Sequence, residues 1–205
     1  MMEDKKQHWE TVYATKKADE VSWTEEVPQT SLDFIRELDL PKSARIIDIG
    51  GGDSRLVDYL LQKGYKNLTV LDISEKSIER AKNRLGSAAG EVRWIVTDIL
   101  EFRPEYSFDL WHDRAAFHFL TTQDQVDNYL NIAGNAVDQF LVVGTFAENG
   151  PEKCSGLEVH RYSEEDLTSA FNLQFKKRKC ILTQHQTPFK TIQNFTFCSF
   201  TRKDS

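Results

Sequence analysis

Short apolar runs alternate along the chain with stretches whose apolar residues recur every three or four positions. Ala44–Ile49 is a compact, β-branched run and predicts a buried strand. Asp53–Lys63 puts Leu56, Val57, Leu60 and Leu61 on one helical face, with Gly64 as its stop. Leu68–Leu71 predicts a second strand. Ser74–Leu85 predicts a helix with Ile78, Ala81 and Leu85 inward, Ser74 as cap and Gly86 past its end. Val92–Val96 and Phe108–His112 predict strands, Thr122–Ala136 a helix, and Gln139–Thr145 a strand. Ser163–Phe171 opens with Ser-Glu-Glu-Asp, a helix start with an acidic first turn. Phe175–Thr183 and Phe189–Thr201 close the chain as two strands joined through Gln184–Pro188.

Strands alternating with helices make right-handed βαβ units and a parallel sheet covered on both faces. The last two strands have no helix between them and pair as an antiparallel hairpin. The expected fold is therefore α/β: a Rossmann-like, doubly wound, seven-stranded, mostly parallel sheet with one reversed strand in its C-terminal hairpin. Residues 1–205 read as one domain. Within it, 1–41 form an N-terminal helical lid, too short for its own core, and 44–205 form the Rossmann-like core.

Composition narrows the class. The 205 residues are 40% hydrophobic and 28% charged, with a net charge of -6, an ordinary globular balance. The acidic excess argues against a sequence-independent grip on nucleic acid. No apolar run reaches the roughly 20 residues of a membrane span, and Met1–Glu20 lacks the apolar stretch of a secretory signal. Cys154, Cys180 and Cys198 are odd in number and widely spaced, so all three are expected reduced, in a cytoplasmic setting. Lys176–Lys179 alternates faces on a strand and reads as a solvated edge.

The sharpest chemical signal is Ile46-Ile47-Asp48-Ile49-Gly50-Gly51-Gly52-Asp53-Ser54, a strand running into a glycine turn and then a helix. Without Cβ atoms, the turn lets a ligand approach backbone N–H groups at the switch point of a doubly wound sheet. The turn lacks the GxxxxGK[ST] of a P-loop. Arg55 replaces the third glycine of a dinucleotide fingerprint, and Asp48 would repel a pyrophosphate; both oppose a nicotinamide oxidoreductase. Asp48 suits a ligand ammonium. Asp72, 20 residues after Gly52, stands where a carboxylate meets a ribose diol. Asp98 ends the third strand region and suits an adenine amine. Ammonium, ribose and adenine in that order describe S-adenosylmethionine.

On these residues the chain resembles the class I S-adenosylmethionine-dependent methyltransferases, over roughly Ala44 to the C-terminus. Asp48-x-Gly50-x-Gly52 matches the family's first motif, with Ser54 in a slot often held by glycine. Asp72, beside Ile73, matches its ribose-binding acid, and Asp98 with Ile99 its adenine-binding pair. Trp9 and Tyr13, in His8-Trp9-Glu10-Thr11-Val12-Tyr13, resemble the cofactor-covering N-terminal helix of small stand-alone bacterial members. The resemblance implies S-adenosylmethionine as cofactor, S-adenosylhomocysteine as product, and further cofactor contacts from Gly51 and Asp113.

The family's acceptor chemistry sits at the end of strand four, here Trp111-His112-Asp113-Arg114-Ala115-Ala116-Phe117-His118-Phe119. The Asn/Asp-Pro-Pro-aromatic run of base-methylating members is absent. Asp113 is the candidate facing the methyl group or the methionine amine, with an Arg114 ion pair as the plain alternative. His118 is the candidate general base, and His112 reads as structural. No metal pair is present, so no metal is expected. Loops at Val21–Trp23, Pro28–Ser31 and Thr145–Gly156 shape the expected acceptor pocket. Arg161 and Cys154 are lesser candidates for touching the acceptor. The expected partner is a small-molecule acceptor, with no membrane and no nucleic acid. A protein lysine methyltransferase is the alternative, and a non-catalytic S-adenosylmethionine-binding module a further one.

Overall fold

The structure, a computed structural model, describes residues 2–203. Met1 and residues 204–205, the ends of the unit read from sequence, lie outside the described residues. Helices α1 (Met2–Thr15) and α2 (Gln29–Glu37) precede a repeating array. It runs β1 (Arg45–Ile49), α3 (Leu56–Gln62), β2 (Asn67–Asp72), α4 (Glu75–Leu85), β3 (Val92–Val96) and β4 (Phe108–Arg114). Then come α5 (Gln123–Ala136), β5 (Val137–Phe146), β6 (Lys153–Cys154), β7 (Leu157–Glu158), α6 (Glu164–Phe171), β8 (Phe175–Gln186) and β9 (Ile192–Arg202).

The seven-stranded sheet has the order β3-β2-β1-β4-β5-β9-β8, with β6 and β7 as a separate small hairpin. Strands β1 to β5 pair in parallel, and β9 runs antiparallel to both β5 and β8. The expected reversed strand is thus β9, inserted next to the edge. Helix starts follow their caps: Ser74 accepts from the Ser77 N–H, and Thr122 and Ser163 form capping boxes with Gln125 and Asp166. Helix α3 begins at Leu56 rather than Asp53, because the glycine turn continues through Arg55.

Alternation along the strands divides the core into two halves. Ile47, Ile49 and Trp111 pack with Tyr129 and Ala133 of α5 and Leu167 and Phe171 of α6. Ile46 and Leu110 pack on the other face with Phe34 and Ile35 of α2 and Leu56 and Leu60 of α3. Each fully buried aliphatic side chain contributes roughly 1.5–3 kcal/mol. Because β1 and β4 pair with Asp48 opposite His112 and Ile49 opposite Asp113, the neighbouring polar residues of β4 point to opposite faces.

One expectation is corrected. Cys180 and Cys198 form a disulfide, whereas only Cys154 is a free, buried thiol. The β8–β9 register sets Cys180 directly opposite Cys198, a juxtaposition that spacing along the chain does not reveal. Among the described residues no helix is long and apolar enough to cross a membrane.

Candidate functional site

The glycine turn leaves β1 and bends against β2, where the Gly50 and Gly51 N–H groups both donate to the Leu71 carbonyl, at 2.8 and 3.2 Å. Gly50 has φ of +66°, and a Cβ there would also meet Ala116 at 2.8 Å. Behind the turn stand two carboxylates. A Cβ on Gly51 would lie 2.4 Å from Asp48 Oδ2, and one on Gly52 2.4 Å from Asp72 Oδ2. The glycines are needed because the acids press against them.

These residues bound a cavity of about 730 Å³ at the C-terminal ends of the parallel strands. Asp48, Gly50, Gly51, Ser54, Asp72, Ile73, Asp98 and Ile99 line it, and so do Trp9 and Tyr13 of α1. Gly52 is not on the wall; it lies behind Asp72. Asp72 accepts from the Ser74 N–H at 2.8 Å, and burial pushes its carboxyl up to about 6. Asp98 caps the short helix Ile99–Glu101 through the Leu100 N–H at 2.9 Å. Helix α1 covers this wall. Trp9 packs on Tyr13, Trp23 and Phe119, with centroids 6.2, 5.5 and 5.2 Å away. Glu10 ties it down: its carboxylate accepts from the Glu75 and Lys76 N–H groups, at 2.6 and 3.2 Å, at the positive end of α4.

The two catalytic candidates stand elsewhere. Asp113 is fully buried beneath α5 and does not line the cavity. Its Oδ1 accepts from the Ala116 and Phe117 N–H groups, both at 3.0 Å, and its Oδ2 from the Tyr129 hydroxyl at 2.7 Å. Burial raises its carboxyl to about 6. Register explains the placement: Asp113 follows Trp111 onto the α5 face. The alternative, an ion pair with Arg114, does not form either, since Arg114 turns to Glu25 at 3.2 Å and to the Trp23 carbonyl at 3.1 Å. His118 is likewise sealed from the cavity. Its Nδ1 accepts from the Phe146 N–H at 3.3 Å, and burial beside Arg114 depresses its pKa to about 3. Burial thus favours the neutral ring, away from the cavity.

His112, read as structural, is the residue that does reach the cavity wall. Its Nδ1 lies 2.7 Å from Asp48 Oδ1 and its Nε2 2.9 Å from Ser31 Oγ on α2. The only signal for it in the sequence is its place two residues before Arg114 on an alternating strand. Trp23, Glu25, Arg114, Cys154 and Leu157 also line the cavity, from three separate segments. Burial pushes the Cys154 thiol up to about 11, so it stays protonated. Arg161 faces outward and pairs with Glu152 at 3.4 Å. Lys177 and Lys179 pair with Glu164 and Glu37 at 2.5 and 2.6 Å, as a solvated edge should.

The arrangement fits S-adenosylmethionine on its own geometry: a Cβ-free cradle, one buried carboxylate oxygen without a partner (Asp48 Oδ2), and acids at three successive strand ends. Residues 46–135 match the family model described as a methyltransferase domain. Over 105 residues the chain is 35% identical to a malonyl-[acyl-carrier protein] O-methyltransferase of Anoxybacillus flavithermus, a match covering 50% of this chain and 39% of that protein. A second such enzyme, from Ilyobacter polytropus, is 30% identical over 94 residues, 43% of this chain and 36% of its own. The matched stretch thus spans little more than a third of these curated relatives. Among solved structures, an S-adenosylmethionine-dependent methyltransferase of Anabaena variabilis superposes with a TM-score of 0.75 at 13% identity, over 98% of this chain and 95% of that one. The N-methyltransferase NodS of Bradyrhizobium japonicum, in complex with S-adenosylhomocysteine, gives 0.69 at 18% identity, over 97% and 98%. Residues 46–135 thus match the methyltransferase-domain model, and the likeness to these solved structures is one of fold, a Rossmann-like seven-stranded sheet.

Proposed function

We propose that the protein is an S-adenosylmethionine-dependent methyltransferase acting on a small-molecule acceptor. The observation that carries the reading is the file of Asp48, Asp72 and Asp98 along one cavity wall behind a glycine turn. Asp48 takes the ligand's ammonium, Asp72 its ribose diol and Asp98 its adenine amine. Ile73 and Ile99 flank the adenine, and the backbone of Gly50 and Gly51 with Ser54 borders the ligand's middle. Trp9 and Tyr13 exclude water from above, with residues 1–41 serving as the lid. When bound, the sulfonium supplies an electrophilic methyl group. The chain's own part is to desolvate and align an acceptor against Trp23, Glu25, Arg114 and Leu157; positioning of this kind supplies a large share of the rate. Neither Asp113 nor His118 takes a proton in this scheme.

The small-molecule acceptor is supported by a cavity of about 730 Å³ with a largely apolar lining, and relatives are named for a malonyl group, there on an acyl-carrier protein. A cytoplasmic setting suits a user of this cofactor, and there the Cys180–Cys198 pair meets a reducing poise. The test is a thermal melt with S-adenosylmethionine, S-adenosylhomocysteine, NAD and ATP in parallel. Saturating ligand, at about 100 times its Kd, adds roughly 2.7 kcal/mol and raises Tm by about 5–10 °C. A rise with the first two alone, lost in Asp72→Ala, supports the reading. A rise with NAD alone, or none at all, overturns it.

A further inference from the structure

On the cavity wall Ser31, His112 and Asp48 form one buried line: Oγ to Nε2 at 2.9 Å, and Nδ1 to Oδ1 at 2.7 Å. Three elements meet there: α2 brings Ser31, β4 brings His112 and β1 brings Asp48. The β1–β4 register puts Asp48 and His112 side by side on one face. A carboxylate oxygen only accepts, so Nδ1 carries the hydrogen. With Nδ1 as the donor of a singly protonated ring, Nε2 accepts from the Ser31 hydroxyl. The histidine tautomer and the Asp48 rotamer are both set by this chain of bonds.

The consequence is an asymmetric carboxylate. Oδ1 is occupied by His112, while Oδ2 is buried with no hydrogen-bond partner among the described residues and lies directly under Gly51. A buried acceptor left unpaired is costly. It is tolerable where a ligand donor arrives to complete it. Asp48, His112 and Ser31 all border the cavity. Resting on the proposed function, we infer that His112 and Ser31 are positioning residues. They hold Asp48 so that its free Oδ2 meets the ammonium of the methionine moiety, and they couple docking of α2 to capture of that end of the cofactor.

The test separates the two ends of the ligand by calorimetry at constant pH. S-adenosylhomocysteine carries the ammonium; 5′-methylthioadenosine keeps ribose and adenine and lacks it. His112→Gln and His112→Leu lose the bond to Asp48, and should weaken S-adenosylhomocysteine about tenfold or more while leaving 5′-methylthioadenosine within about twofold. His112→Asn places an amide N–H near the Nδ1 position and should restore most of the affinity. Equal weakening of both ligands makes His112 a packing residue and overturns the inference, as does unchanged S-adenosylhomocysteine affinity. Should His112→Leu fail to fold, Ser31→Ala reads the same contrast with a smaller, about threefold, selective loss. There too, loss shared equally between the ligands, or none, overturns it. A wild-type protein that binds neither ligand brings down the proposed function itself.

Discussion

The two faces of β4 carry two buried acids that treat their oxygens differently. On the α5 face Asp113 accepts three hydrogen bonds, and Tyr129 in turn accepts from the Trp111 indole at 2.9 Å. Nothing is left over. On the α2 face the Asp48–His112–Ser31 line ends in an oxygen with no partner among the described residues. The closed cluster serves the backbone, pinning the turn after β4, where Ala115 sits at φ of +65°. The open cluster is incomplete without a ligand. Burial alone does not mark a binding residue, since Asp113 is the more buried of the two, at 0% exposure against 5% for Asp48. Asp48 differs from Asp113 in pairing an unfilled oxygen with a place on the cavity wall.

The largest effect that would break this contrast is on stability. Asp113→Ala strands the Tyr129 hydroxyl and the Ala116 and Phe117 N–H groups in a dry core. A loss of about 3–5 kcal/mol is expected, a Tm drop of roughly 6–20 °C. Asp48→Asn keeps an acceptor for His112 and should leave Tm within a few degrees while cutting S-adenosylhomocysteine affinity by tenfold or more (about 1.4 kcal/mol). Melting and calorimetry on both variants check the pair. If Asp113→Ala melts normally and loses ligand instead, the two clusters have been assigned the wrong way round.

The second effect concerns His118, the sealed histidine. Its folded pKa, about 3, lies below the ordinary 6.5, so the unfolded chain binds the proton first. Stability from the neutral ring is full above pH 6.5 and is lost as pH falls towards 3, at about 1.4 kcal/mol per unit. Between pH 6.5 and 5 that is roughly 2 kcal/mol. Asp72 and Asp113, both raised to about 6, oppose it, because the folded state protonates them first. The difference between wild type and His118→Phe isolates the histidine: denaturant titrations should show the variant losing less stability on acidification. Equal slopes would place a charged histidine in the core.

Much of this was legible in the chain. Periodicity of two and of 3.6 recovers the seven main strands and the order of helices, because each element buries an apolar face at its own period. The glycine turn and Asp48, Asp72 and Asp98 stand out because strand ends put them in one place. What spacing hides is contact across the sheet. His112 and Asp113 are neighbours in sequence, and only the β4 register sends one to Asp48 and the other to Tyr129. The Cys180–Cys198 pairing depends on hairpin register in the same way. Ser31, Glu25 and Arg114 meet through a folded-back N-terminal segment that no local pattern encodes. The capping of α4 by Glu10 is of the same kind.

The smallest effect returns to the cavity wall, where an acid's titration should be read in binding rather than in folding. Asp72 lines the cavity, and burial holds its carboxyl near 6. In the proposed binding mode ribose hydroxyls donate to its ionised form, so ligand binding favours loss of the proton. S-adenosylhomocysteine affinity should therefore be constant above about pH 7 and fall as pH drops through 6, reaching about tenfold weaker near pH 5. Asp72→Asn is weaker throughout, but should lose this pH dependence. Tyr129→Phe, which alters the surroundings of the equally raised Asp113, should keep it, because that acid does not line the cavity. Were the pH profile to follow Tyr129→Phe instead, Asp113 would be coupled to the ligand after all, and the separation of a closed from an open face would fail at its central residue.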